Sequence, residues 1–332
     1  MNCCDAQARK NRGVTCACRR CCYNAAVPET IHAWRYRMKA RAPLNRKSPA
    51  LQVEGMLLRI DGGYACVQPW SVFGHPTLEE HEQALREKRS LPLLDQAFSC
   101  AEADAEARRK GVSWWTGLSV PRSHATITDL TEDHLESALA PFSHAKIKAR
   151  VEDTQQLHEW SQRHPHLCLR LDFNEVPNEK AFVDWWEKLS DELRRRIDWV
   201  EDPFPFDSEA WQRVQSQTGC AFACDRAVDL LRSDHAFVAV WKPAWQPLPC
   251  SVVQQNVVVT SAMDHPVGQA WAAYSAGLAG VTSLCGLRTD PLFEKNAFSE
   301  RMGSWGPDWQ RIDGMGMGFD DLLENLPWVR MM

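Results

Sequence analysis

The stretch HAKIKARVED, residues 144–153, has the look of a short strand, yet it carries two lysines two positions apart. Successive strand side chains point to opposite faces, so Lys146 and Lys148 share one face and Ile147 takes the other. Two ammonium groups on one inner face need anionic company, and the sequence on either side supplies it.

From about Ser123 onward, short apolar runs alternate with helix-like segments of roughly 10 to 15 residues, the signature of repeated βα units. The runs are HATITDL, AKIKAR, LCLRLDF, IDWVED, AFACD, FVAVWKP, NVVVTS and GVTSLCG. Eight parallel strands separated by helices close into a barrel, whose chemistry gathers at the C-terminal ends of its strands. After the strand holding Lys148, successive runs end in Asp172, Glu201, Asp225 and Lys242, spaced 24, 29, 24 and 17 residues apart by subtraction. Each gap is close to one βα unit, so five charged groups ring one rim.

A single carboxylate at a strand end often caps the next helix or meets solvent. Three on adjacent strands repel one another and raise each other's pKa unless a cation neutralises them. All-oxygen ligands select a hard divalent ion, and Mg²⁺ characteristically leaves coordination sites open. Lysine becomes a usable base when burial, a second ammonium group and a nearby dication lower its pKa. Lys148 on one side and Lys242 on the other would then flank a carbon acid whose carboxylate meets the metal, which stabilises the enediolate where its charge develops.

Upstream, IHAWRYRMKA and ALQVEGMLLRIDGGYACVQ read as strands, the second turning at Asp61, Gly62 and Gly63. Helical patterns follow, with Thr77 as N-cap, Glu80 three residues later, and a stop at Gly111 after a basic run. Strands followed by helices suggest a small α+β domain. The Gly- and Trp-rich stretch from DPLFEKNAF onward is expected to return and cover it. The division is thus an extension over 1–29, an α+β domain over 30–122 completed by 291–328, and a barrel over 123–290.

A formal charge of -5 over 332 residues provides neither a basic footprint for nucleic acid nor an acidic tail, and no apolar run reaches membrane-span length. Of 13 cysteines, Cys3, Cys4, Cys16, Cys18, Cys21 and Cys22 crowd the start. Their one C-x-x-C, Cys18 and Cys21, finds no second pair for zinc, and the segment lacks apolar periodicity, so residues 1–29 read as a disordered extension. Without a signal-peptide core, the expected compartment is the cytoplasm. The expected partner is a small carboxylate, with no nucleic acid or membrane, and a monomer is compatible with the composition.

Three further stretches carry candidates. The turn after the seventh run presents Ser261, Met263 and Asp264 ahead of a helix with Pro266 in its first turn, a place for an anion, though Asp264 reads equally as an N-cap. HPTLEEHEQ gathers His75, Glu79, Glu80 and His81 without metal-ligand spacing, and His81 is expected on an exposed helix face. Among 15 tryptophans, Trp70, Trp114, Trp115 and Trp241 are those expected near a pocket.

In order, K-x-K (146–148), D-x-N (172–174), V-E-D-P (200–203), C-D (224–225) and W-K-P (241–243) resemble the enolase superfamily, and most closely its muconate-lactonizing subgroup. VTSAMDHPVGQAWAAYSAG and VQPWSVFGHPTLEE are similar to segments of the o-succinylbenzoate synthases, and the likeness covers roughly 31–328. It implies a modified (β/α)8 TIM barrel of (β/α)7β type under an N-terminal α+β capping domain. Mg²⁺ would be held by Asp172, Glu201 and Asp225, with Asn174 supporting them. Lys148 would abstract the proton α to the substrate carboxylate and protonate the departing hydroxyl, a syn dehydration giving o-succinylbenzoate in menaquinone synthesis. Lys242 would act as a cation over the ring and Lys146 would sit near the carboxylate. Three departures stand out: Asp202 and Arg226 where the pattern has glutamate, and bulky Trp241 before Lys242. The rival readings are an N-acylamino-acid racemase or dipeptide epimerase, in which both lysines exchange a proton with one carbon, and a silent barrel serving as a scaffold.

Overall fold

The computed structural model describes residues 30–44, 50–131, 136–232, 235–248 and 256–332. The cysteine-rich extension read from the sequence lies outside them.

The first sheet is an antiparallel meander of β1 (Ile31–Lys39), β2 (Gln52–Ile60) and β3 (Gly63–Val67). Along β1 the buried positions change phase, Ile31 and Ala33 facing one side and Tyr36 and Met38 the other, so the strand buries one face in its first half and the opposite face in its second. The β2–β3 turn is tighter than expected, using only Asp61 and Gly62, both at positive φ, which suits a two-residue hairpin. Gly63 already belongs to β3. A Cβ there would lie 1.9 Å from the Ala101 carbonyl oxygen, so only glycine lets the following helix lie this close.

Two helices follow, α1 (Leu78–Arg86) and α2 (Pro92–Arg109). The expected Thr77–Glu80 capping box opens α1, and Gly111, in the left-handed region, follows α2. His81 is a correction: it is fully buried on the face it shares with Leu78, Ala84 and Leu85, and its Nδ1 donates to the Thr77 carbonyl. Its glutamate neighbours in sequence hid an i, i+3 partnership with Leu78.

The second sheet has seven strands, all parallel, in sequential order: β4 (Ala125–Ile127), β5 (His144–Lys148), β6 (Cys168–Asp172), β7 (Ile197–Glu201), β8 (Phe222–Cys224), β9 (Val238–Trp241) and β10 (Val257–Val259). Between them lie α3 (Glu136–Leu139), α4 (Thr154–Arg163), α5 (Glu179–Lys188), α6 (Asp191–Arg196) and α7 (Ser208–Thr218), and α8 (Pro266–Leu278) follows β10. Asn178, Ser190 and Asp207 cap α5, α6 and α7 by accepting from backbone N–H groups three residues on. Trp185, Trp186 and Trp211 then press against the barrel wall.

Two sequence expectations are revised here. GVTSLCG forms no strand, although its Cys285 and Gly286 close the curl by bridging Ser123 before β4 and Thr260 after β10. Between β8 and β9, the described residues form only a 3-10 turn at Val228–Leu230. The chain ends with α9 (Ala297–Arg301), α10 (Asp320–Glu324) and β11 (Val329–Arg330), which pairs antiparallel with β1. No helix among the described residues is long and apolar enough to cross a membrane.

Candidate active site

Strand register explains how distant residues meet. Lys148 lies beside Asp172, and Asp172 beside Glu201, so three neighbouring strands bring their last residues into one row. Lys146, two positions back, faces the same interior, while Ile147 packs outward into the core. Lys148 bonds to Asp172 Oδ2; Lys146 Nζ lies 2.5 Å from Glu201 Oε1 and 3.0 Å from Asp172 Oδ2. Across the rim Lys242 bonds to Asp225 Oδ1. The chain leaves β6 and β7 through left-handed residues, Asn174 and Glu175 in one case and Asp202 in the other. Asparagine and aspartate tolerate that region best, and such strain concentrates at functional sites. Asn174 donates to Asp172 Oδ1 from its backbone N (3.0 Å) and from Nδ2 (2.6 Å), fixing that carboxylate.

Burial and charge pull these groups apart. Burial pushes Glu201 up to about 7, reinforced by the Asp172 and Asp225 charges. Burial would raise Asp172 too, but Lys146 and Lys148 outweigh it and hold that carboxyl well below the usual range. Burial draws the Lys148 ammonium down against the opposing pull of Asp172. Asp225 is lowered because Lys242, Arg226 and Lys146 outweigh its burial.

The test of metal fit is what remains unpaired. Glu201 Oε2, Asn174 Oδ1 and Asp202 Oδ2 are buried without a hydrogen-bond partner. Leaving buried acceptors unmade costs stability, and three gathered on neighbouring residues are of the kind a cation would satisfy. The carboxylates whose oxygens come within 4.8 Å of one another are Glu201, Asp202 and Asp225. Asp172 stands just outside that group, drawn toward the two lysines. Asp202, noted in the sequence only as a departure, is therefore part of the acidic cluster, and its Oδ1 accepts from the Asp225 backbone N at 3.0 Å. Strand alternation alone would send Asp202 to the face opposite Glu201, so the sequence held no signal for it; the chain turns there through a left-handed residue, φ 44°.

A cleft of about 500 Å³, counting space open to solvent, lies over this row. Lys146, Lys148, Asn174, Asp225, Lys242, Ser261 and Met263 line it. Asp264 does not. It is buried behind the turn, and burial raises it to about 7; the N-cap of α8 is His265, whose Nδ1 accepts from Val267 N. Trp70 lines the cleft, but Trp114 and Trp115 pack elsewhere, and Trp241 turns its Nε1 to the Gln246 carbonyl. Sequence reading missed Phe73 and Trp245, which complete the apolar wall.

Residues 31–107 match the family model described as the o-succinylbenzoate synthase N-terminal domain. An o-succinylbenzoate synthase from Bdellovibrio bacteriovorus is 28% identical over 327 residues, covering 89% of this chain and 97% of that protein. By these matches the chain is similar to the o-succinylbenzoate synthases. Among solved structures, the o-succinylbenzoate synthase of Thermosynechococcus elongatus, complexed with Mg in its active site, superposes with a TM-score of 0.61 at 17% identity, covering 80% of this chain and 94% of that one. A dipeptide epimerase from Cytophaga hutchinsonii, complexed with Mg and a dipeptide, reaches 0.67 at 13% identity, covering 92% and 100%. These two share the capping domain and barrel with this chain and speak for the fold alone.

Proposed function

We propose that the protein dehydrates 2-succinyl-6-hydroxy-2,4-cyclohexadiene-1-carboxylate to 2-succinylbenzoate, using Lys148 as both base and acid. The observation that carries this is the row Lys148–Asp172–Glu201, faced across the cleft by Asp225 and Lys242. Asp172, Glu201 and Asp225 would hold Mg²⁺, with Asp202 and Asn174 behind them; support comes from the buried unpaired Glu201 Oε2, Asn174 Oδ1 and Asp202 Oδ2 and from the close approach of the Glu201, Asp202 and Asp225 oxygens. Bound there, the ion would neutralise the charge that builds on the substrate carboxylate.

The protein's own residues do the rest. Lys148, drawn toward neutrality by burial, takes the proton from the carbon α to the carboxylate. The same ammonium then returns that proton to the hydroxyl leaving from the same face, so water departs and the ring becomes aromatic. Lys242, 4.7 Å from the centre of the Trp245 ring, holds a positive charge against the opposite face. Trp70, Phe73 and Trp245 keep water from the ring carbons.

A racemase or epimerase reading draws support from one observation, that lysines stand on both sides of the cleft. The experiment is an ultraviolet assay for the aromatic product with and without Mg²⁺, run beside deuterium exchange into an N-acylamino acid. Cation-dependent absorbance supports dehydration. Exchange with inversion, and no aromatic product, overturns it in favour of the rival.

A further inference from the structure

Among the described cations lining the cleft, three are already matched: Lys148 with Asp172, Lys146 with Glu201 and Lys242 with Asp225. Arg226 is not. Its Nε is buried without a hydrogen-bond partner, and the nearest carboxylate oxygen, Asp202 Oδ2, is 4.0 Å away. The guanidinium carbon lies 3.4 Å from the centre of the Phe73 ring and 5.9 Å from that of Trp245, so the cation is stacked flat and aimed by aromatic faces. This platform is itself fixed. Phe73 N donates to the Trp70 carbonyl at 2.9 Å, Trp70 N to His75 Nδ1 at 3.1 Å, and Trp70 Nε1 crosses to the Ala262 carbonyl at 3.0 Å.

We infer that Arg226 is the specificity residue for the second carboxylate of a dianionic substrate, the one carried on its succinyl tail. This rests on the reading of the previous section. The position fits the chemistry, because Arg226 stacks on Phe73 where the capping loop meets the barrel and lines the same cleft as Lys146 and Lys148. Charge fits as well: Lys146 and Lys242 already bond to Glu201 and Asp225, so Arg226 is the cation with the weakest internal partner and the one left to meet a second carboxylate. A planar fork with an unused N–H pairs with a carboxylate better than a point charge does.

Binding of two ligands to the full-length protein in Mg²⁺, measured by calorimetry, tests this. One is 2-succinylbenzoate; the other is 2-butyrylbenzoate, whose tail ends in a methyl group. The wild type is expected to favour the dicarboxylate by about 10- to 100-fold, the worth of a charge-assisted hydrogen-bonded pair. Arg226→Gln should erase that preference by weakening the dicarboxylate alone, and Arg226→Lys should restore part of it. If Arg226→Gln weakens both ligands equally, the residue merely props Phe73 and the inference falls. It also falls if the dicarboxylate is unaffected, or if the wild type binds both ligands equally. A wild type that binds neither removes the dehydratase reading and this inference together.

Discussion

Two buried charge clusters in this molecule were assembled to opposite ends. In the cap, fully buried Asp104 accepts from Tyr64 N at 3.0 Å, Met317 N at 2.7 Å and Arg108 Nε at 2.6 Å. Arg108 continues to Asp320 Oδ1 and the Gly318 carbonyl, and stacks over the Tyr64 ring. At the barrel mouth Glu201, Asp202, Asn174 and Arg226 each retain a buried polar atom with no partner. A saturated cluster ties chain segments together, whereas a cluster left short of partners waits for something from solution. Between these two clusters, unmet hydrogen bonds draw a distinction that burial does not.

That contrast can be broken at several points. The largest effect should come from Lys148→Ala, which is expected to lower kcat by about 10⁴-fold, the upper range for losing a general acid–base group, with an unchanged circular dichroism melt. A residual rate near wild type would move the base elsewhere. Asp104→Ala should do the reverse. It strands Arg108 and two backbone donors and is expected to cost about 3 to 5 kcal/mol in urea unfolding, while the surviving folded fraction turns over normally. Glu201→Gln keeps the shape but removes a ligand charge, so calorimetric affinity for Mg²⁺ should fall by about 100-fold. Because it also discharges a crowded carboxylate, the metal-free protein should melt no lower than wild type. A drop in melting temperature would put Glu201 with the structural cluster.

A smaller effect comes from pH. Burial lowers His75 from its ordinary 6.5 to about 4, and the neighbouring His81, Arg226 and Lys242 charges act the same way. The unfolded chain therefore binds a proton that the folded chain refuses between those values, so stability falls as pH drops from about 6.5 to 4. His75→Gln should flatten that part of the melting profile, and an unchanged slope would exonerate His75. The smallest effect is Thr77→Ala, about 1 kcal/mol, through loss of the capping box that starts α1. The same change should leave cation affinity untouched.

Much of this site was legible because strand chemistry repeats. Lys148, Asp172 and Glu201 end their runs at intervals of one βα unit, and parallel register aligns such ends without any long-range information. What escaped reading depends on neighbours remote in sequence. His81 sits among glutamates yet is buried, because α1 turns its Leu78 face inward. Asp264 looked like a cap, but the turn at Met263, with φ of 52°, hands that role to His265. The eighth run is apolar enough for a strand, but Gly286 passes so close to His124 Nε2 that a Cβ would lie 2.5 Å from it, and only a bridge fits the seam. Arg226 stood out as an oddity in sequence; only the Phe73 ring beneath it indicates what the oddity is for.

The pairing of β11 with β1 has a consequence for biosynthesis. Ala33 meets Val329 and His32 meets Arg330, so the meander, finished at Val67, keeps this part of its edge open until about 260 more residues have left the ribosome. The intervening barrel is complete in sequence before that edge is covered. A nascent chain stalled after β10 would thus hold every proposed metal ligand while still offering a bare strand to other chains, which makes the last few residues its guard against aggregation.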